Sequence, residues 1–103
     1  MVVTATEIKI KGIRGYIRFF ISVRKVVKQV QQANGLLFVK TKGLKTLTGW
    51  KDYDSMKYFR NSGPHLDAMK NIKKMGEGQS FTWETESEPD WQEAVARLRG
   101  LHR

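Results

Sequence analysis

From Tyr16 to Val30, apolar side chains recur as Tyr16, Phe20, Val23, Val27 and Val30, at spacings of four, three, four and three. That rhythm matches the turn of an α-helix carrying one apolar stripe. Arg14, Arg18, Lys25 and Lys28 fall on the opposite arc. On either side of this helix the period changes. From Thr4 to Lys11, Ile8 and Ile10 alternate with Glu7, Lys9 and Lys11, the two-residue period of a half-buried strand. Asn34-Gly35 is suited to ending a helix in the left-handed region. Beyond it, Leu36 to Thr41 is a short apolar run with β-branched members, a second strand. A strand–helix–strand start is the first constraint on the fold.

Gly43 marks a turn, and Lys45 to Trp50 reads as a third strand closing a hairpin. Asp52 or Asp54 can cap a helix over Ser55 to Asn61. Gly63-Pro64 breaks it and opens another, Pro64 to Met75, because proline suits a first helical turn. Asp67 near its start and Lys70, Lys73 and Lys74 near its end match the helix dipole. Gln79 to Thr85 is a fourth strand, with Phe81 and Trp83 on one face. Ser87 to Asp90 forms a turn and cap before a terminal helix, Trp91 to Leu98.

The order β-α-β-β-α-β plus an appended helix predicts an α+β fold of ferredoxin-like topology, an antiparallel sheet with its helices on one face. The 103 residues suit a single domain, with a core of about 4–85 and an extension over 86–103. If the other face of the sheet is apolar it needs a cover, and a second copy of the chain is the simplest one.

Charge divides the chain. Residues 1–75 hold 16 Lys and Arg against 4 Asp and Glu, a balance of +12; residues 76–103 hold 3 against 6, a balance of −3. A basic body with an acidic tail suits nucleic acid, an anionic membrane surface, or docking of the tail on the basic part of itself or a partner. With no cysteine, disulfides and thiolate chemistry are excluded. Ile13 to Val30 is interrupted by five basic residues and is no membrane span. Met1 to Thr6 has no signal-peptide pattern, so the expected compartment is the cytoplasm. There is no phosphate loop, nucleophile motif or metal-ligand spacing.

Leu47-Thr48-Gly49-Trp50-Lys51-Asp52, then Met56, Phe59, Gly63-Pro64-His65 and Met69, resemble the T-L-S-x-W-x-x … F … G-P-H … M region of the dimeric α/β-barrel superfamily. Gly35-Leu36-Leu37 and Phe81 to Glu84 stand where those proteins carry a P-G-L-L strand start and an F-x-x-W-E final strand. The nearest resemblance is to small bacterial proteins related to antibiotic-biosynthesis monooxygenases and spheroidene monooxygenase. It implies a homodimer whose sheets close into a barrel, with a pocket between each sheet and its helices. It also implies cofactor-free or haem-assisted oxygenation of a small, largely apolar molecule, or a ligand-binding dimer without catalysis. At the positions of the haem-degrading branch's helix Trp and ligand His stand Phe59 and Met69, which argues against that chemistry. Similarity to spheroidene monooxygenase around the P-H dipeptide keeps a haem role for His65 open.

His65, at the start of a helix, is the foremost candidate. The helix dipole disfavours its cation there, leaving a neutral imidazole as base or ligand; packing or capping is the plainer alternative. Trp50, Trp83, Phe38, Phe59 and Phe81 can line a cavity for a flat apolar ligand or serve as ordinary core, the commoner fate. Phe59 reads as core. Tyr58 is one of three phenols available for proton transfer. Arg14, Arg18, Lys25 and Lys28 are the rival basic surface for nucleic acid or membrane. No K/R-G-F-x-F stacking motif accompanies them, which weighs against nucleic acid.

Overall fold

The computed structural model describes residues 1–100. Four strands, β1 (Val2–Ile10), β2 (Leu36–Lys42), β3 (Lys45–Trp50) and β4 (Gly76–Glu84), form one antiparallel sheet in the order β2-β3-β1-β4. Between them run α1 (Gly12–Gln31), α2 (Tyr53–Arg60), α3 (Gly63–Lys70) and α4 (Ile72–Met75), with α5 (Trp91–Leu98) last. This is the expected α+β, ferredoxin-like arrangement with an appended helix. The extension over 86–103 is described to residue 100, so its last three residues lie outside the described part.

Antiparallel register decides which residues share a face. Val2 stands opposite Trp50, and Val3 opposite both Gly49 and Trp83. Because successive side chains alternate, Trp50 and Trp83 lie on opposite faces. The inner core joins Val2, Val30, Trp50, Met56 and Phe59 beneath α1 and α2. The outer core joins Val3, Ala5, Leu47 and Trp83 to Ala94 of α5. Gly49 admits the ring of Phe38, which a Cβ would meet at 2.1 Å.

Two expectations need correction. The inward line of α1 is Gly15, Phe19, Val23, Val26 and Val30, whereas Tyr16, Phe20 and Val27 are exposed. Apolar residues occupy a wider arc of α1 than one stripe, and the sheet takes only one side of it. The helix expected over Pro64 to Met75 breaks at Asn71, whose ψ of 7° leaves the helical range.

The sheet's outer face is partly covered by its own chain. Glu88, after β4, pairs with Lys40 on β2 at the far edge, and α5 returns across the face to Trp83 and Glu7. The acidic tail thus lies against its own sheet. Asp90 starts α5 by accepting from the Glu93 amide at 2.8 Å, as Asp52 starts α2 by accepting from that of Ser55 at 2.8 Å. No helix among the described residues is long and apolar enough to cross a membrane.

Leu47 is fully buried between sheet and α5. Leu47→Ala should cost about 3 kcal/mol, from lost transfer energy plus an unfilled cavity. Urea unfolding should record this as a lower midpoint at unchanged slope.

Candidate functional site

The inner face of the sheet is built from short side chains. Thr4, Thr6, Thr46, Thr48 and Ser80 all point toward α1, because they occupy alternate positions on three neighbouring strands. Large residues fill this layer at one end only, where Trp50, Met56 and Phe59 pack below the C-terminal turn of α1. Elsewhere the helix spans a gap. The result is a cavity of about 360 Å³ between the sheet, α1, α2 and α3, within the range of small-ligand sites. Phe19, Val23 and Val26 form its roof, Ile8 and the threonines its floor, and His65 and Arg60 its polar end.

The threonine hydroxyls are partly committed. Thr4 and Thr82 share a hydroxyl–hydroxyl bond of 2.9 Å. Trp50 Nε1 donates to Thr48 Oγ1 at 3.0 Å, and that hydroxyl donates to the Thr4 carbonyl at 3.4 Å. This chain satisfies the buried indole and fixes its ring against the cavity.

His65 sits at the third position of α3. Its ring packs on Phe59 with centroids 4.8 Å apart, and Phe59 packs on Trp50 at 5.1 Å. Nδ1 lies 3.0 Å from the Arg60 carbonyl. A carbonyl only accepts, so Nδ1 carries the proton and the neutral ring presents Nε2 as the basic nitrogen. Burial lowers the pKa of His65 below the ordinary 6.5, and the positive charge of Arg60 adds to this. The bond to the Arg60 carbonyl opposes it.

Gln29 of α1 holds this corner in place. Its Nε2 donates to the carbonyls of Phe59 (3.1 Å) and Ser62 (2.8 Å), and its Oε1 accepts from the His65 amide (2.8 Å). One side chain thus serves the end of α2, the junction and the first turn of α3, where backbone groups lack helical partners. The residue patterns gave no sign of this role, since Gln29 falls between the apolar and basic arcs.

The structure divides the residues expected to share a pocket. Trp50, Phe59 and His65 meet at the cavity, with Phe59 serving core and lining together. Phe38, Phe81 and Trp83 do not line it; they lie on the outer face under the C-terminal segment, one residue out of phase with Trp50. Tyr58 is 78% exposed, pointing away from the cavity. Arg14, Arg18, Lys25 and Lys28 stand on the exposed side of α1 as expected. Among the described residues no group of three or more His, Cys, Asp or Glu is placed to hold a metal ion. Haem is not supported: Met69 lines the cavity where the haem-degrading branch has its ligand histidine.

No family model matches the chain, and no curated protein matches it in sequence. Solved structures do match in fold. SnoaB, a cofactor-independent oxygenase from Streptomyces nogalater, superposes with a TM-score of 0.64 at 8% identity, over 84% of this chain and 94% of that one. An antibiotic biosynthesis monooxygenase superposes at 0.66 with 14% identity, over 84% of this chain and all of the other. A conserved protein from Methanosarcina mazei gives 0.69 at 13% identity, over 82% and 92%. The chain has the ferredoxin-like fold of the antibiotic-biosynthesis-monooxygenase structures.

Two outcomes test this corner. Gln29→Leu should destabilise the chain by about 2 kcal/mol, since part-buried backbone groups of the corner lose their partner. It should also shift the His65 ring resonances in NMR spectra. Folded His65 takes up a proton less readily than unfolded His65, so stability should be full above about pH 6.5 and fall as pH drops below it. His65→Gln should flatten that fall in thermal unfolding between about pH 7.5 and 5.5.

Proposed function

We propose that this chain is a cofactor-free monooxygenase that acts as a homodimer on a small, largely apolar molecule held in the cavity beneath α1. The observation that carries the reading is His65: a neutral imidazole with Nδ1–H held by a carbonyl, lining an apolar cavity, with Nε2 free to take a proton. Fold similarity to a cofactor-independent oxygenase supports the same reading. His65 is the catalytic residue in this proposal. Trp50 and Phe59 set the cavity's polar end by packing against one another and the imidazole.

Ground-state dioxygen reacts slowly with neutral closed-shell molecules and far faster with electron-rich anions. An enzyme without metal or flavin therefore has to generate the anion from its substrate. In the proposed step, Nε2 removes a proton from an acidic C–H or phenolic O–H, and the resulting carbanion or phenolate passes one electron to dioxygen. The radical pair recombines through a new C–O bond to a peroxide. Protonation of its distal oxygen and loss of the remaining C–H proton then break the O–O bond, leaving a carbonyl and water, so that substrate CH2 and dioxygen become C=O and H2O. The imidazolium is stabilised less than in water because the site is buried, so it returns its proton readily to the reduced oxygen species. A lowered histidine pKa keeps the base unprotonated at neutral pH.

The homodimer rests on the resemblance of the chain to the dimeric α/β-barrel superfamily. Sedimentation velocity should give a dimer; a monomer at all concentrations would remove this part and leave the cavity reading intact.

The activity is tested by oxygen uptake with apolar, weakly acidic phenols, in parallel with binding by tryptophan fluorescence. The native chain should consume oxygen after exhaustive chelation, with an acid limb below about pH 6.5. His65→Gln should lose about a hundredfold or more in rate while retaining binding. Binding without oxygen uptake in the native chain would replace the enzyme with a ligand-binding dimer that performs no catalysis.

A further inference from the structure

The outward side of α1 does not match an ordinary solvated helix. Ile13 is 77% exposed, Phe20 60%, Ile17 56% and Ile21 55%, and at helical spacing they form one continuous apolar sector along the first half of the helix. Monomeric proteins seldom leave such a patch without a partner. Arg14 and Arg18 border the sector, and Lys25 and Lys28 continue the basic side through the second half. From residue 8 to residue 51 there is no Asp or Glu at all.

We infer that α1 is a membrane-surface helix, docking the chain on anionic lipid with Ile13, Ile17, Phe20 and Ile21 in the interface and the basic side chains on lipid phosphates. Charge selects this occupant over others. A second α1 packed on the first would bring two wholly basic helices together. Nucleic acid would engage the cations but leave the isoleucines unaccounted for. An apolar sector beside four or more Lys and Arg on one helix is the pattern that lies in a lipid interface. Arg and Lys stems can reach along the apolar boundary and place their charges at headgroup level.

The rest of the fold agrees with that orientation. The acidic segment, with Glu86, Glu88, Asp90 and Glu93, lies across the opposite face of the sheet from α1. On that outer face these acids meet Lys9, Lys40, Lys42, Lys45, Arg97 and Arg99, so its charge is close to balanced, and the uncompensated cations that an anionic surface attracts stand on the helical side. The docking surface stands on α1 alone and does not depend on the oxygenase reading.

The test is flotation of the full chain with vesicles of phosphatidylcholine alone or of phosphatidylcholine with phosphatidylglycerol. Binding should require the anionic lipid and weaken with salt. Neutralising Arg14, Arg18, Lys25 and Lys28 to Gln should cost about fivefold in partitioning per residue. Ile13→Ser/Ile17→Ser/Ile21→Ser, all at exposed positions, should keep the fold by circular dichroism and lose binding that resists moderate salt. The chain has no cysteine, so Ile17→Cys can carry a single polarity-sensitive label. Its emission should shift blue on anionic vesicles. Equal binding to neutral vesicles, or no label shift on anionic ones, would overturn the inference. So would a label shift that follows protein concentration without lipid, which would mean a second copy covers the sector. Binding to duplex DNA at the same salt that survives the triple Ser variant, with no vesicle binding, would likewise reject it.

Discussion

The three hydrogen bonds of Gln29 hold the arrangement at the cavity's polar end. Helix α2 ends and α3 begins within three residues, at Asn61 to Gly63, so carbonyls and amides that ordinary helices satisfy internally converge in one place. A glutamine amide can donate twice and accept as well, and this one does both. Because the bond it accepts comes from the His65 amide, α1 governs where the imidazole stands. The Arg60 carbonyl then sets its tautomer, and Phe59 its ring plane. A group able to move protons is thus held by backbone geometry rather than by another charged side chain, which leaves it neutral and its Nε2 free.

The cavity itself follows from unequal side-chain size on one face of the sheet. Valine, tryptophan and phenylalanine meet at one end and keep α1 at a distance there. Along β1, β3 and β4 the same face offers threonine and serine, too short to reach the helix. Such a space would ordinarily be closed by larger residues, since interiors pack tightly. Here the hydroxyls of Thr4 and Thr48 are taken up by Thr82, Trp50 and the Thr4 carbonyl, while Thr6, Thr46 and Ser80 leave short polar side chains along the floor.

Much of this was legible from residue pattern. Alternation and helical spacing placed all four strands and every main helix, and β3 and α5 agree with expectation at both ends. His65 stood out through its place at a helix start. What pattern does not carry is register and rotation. Trp50 and Trp83 look equivalent along the chain, yet Val2 faces one and Val3 the other, which puts them on opposite sides of the sheet. The apolar arc of α1 is wide enough to permit several inward lines, and tertiary packing chose Phe19 and Val26 over Tyr16 and Phe20. Gln29 was silent because its role depends on a corner made by residues thirty positions later.

The two sides of the sheet have been given different tasks by the distribution of charge. On the outer side an acidic segment folds over its own sheet, pairing Glu88 with Lys40 on the edge strand β2 and bringing Arg99 to Glu7 on the interior strand β1. Such exposed pairs contribute little energy individually, so the apolar contacts of Ala94, Trp91 and Leu98 hold α5 down and the charges set its direction. Any dimer using that face must therefore meet α5 and the β2–β3 hairpin, rather than bare sheet. On the inner side α1 itself carries no acid. One surface of that helix closes the cavity through Phe19, Val23 and Val26 while its other surface stays apolar and basic, so a movement of α1 against a partner would be felt directly at the cavity roof and, through Gln29, at His65.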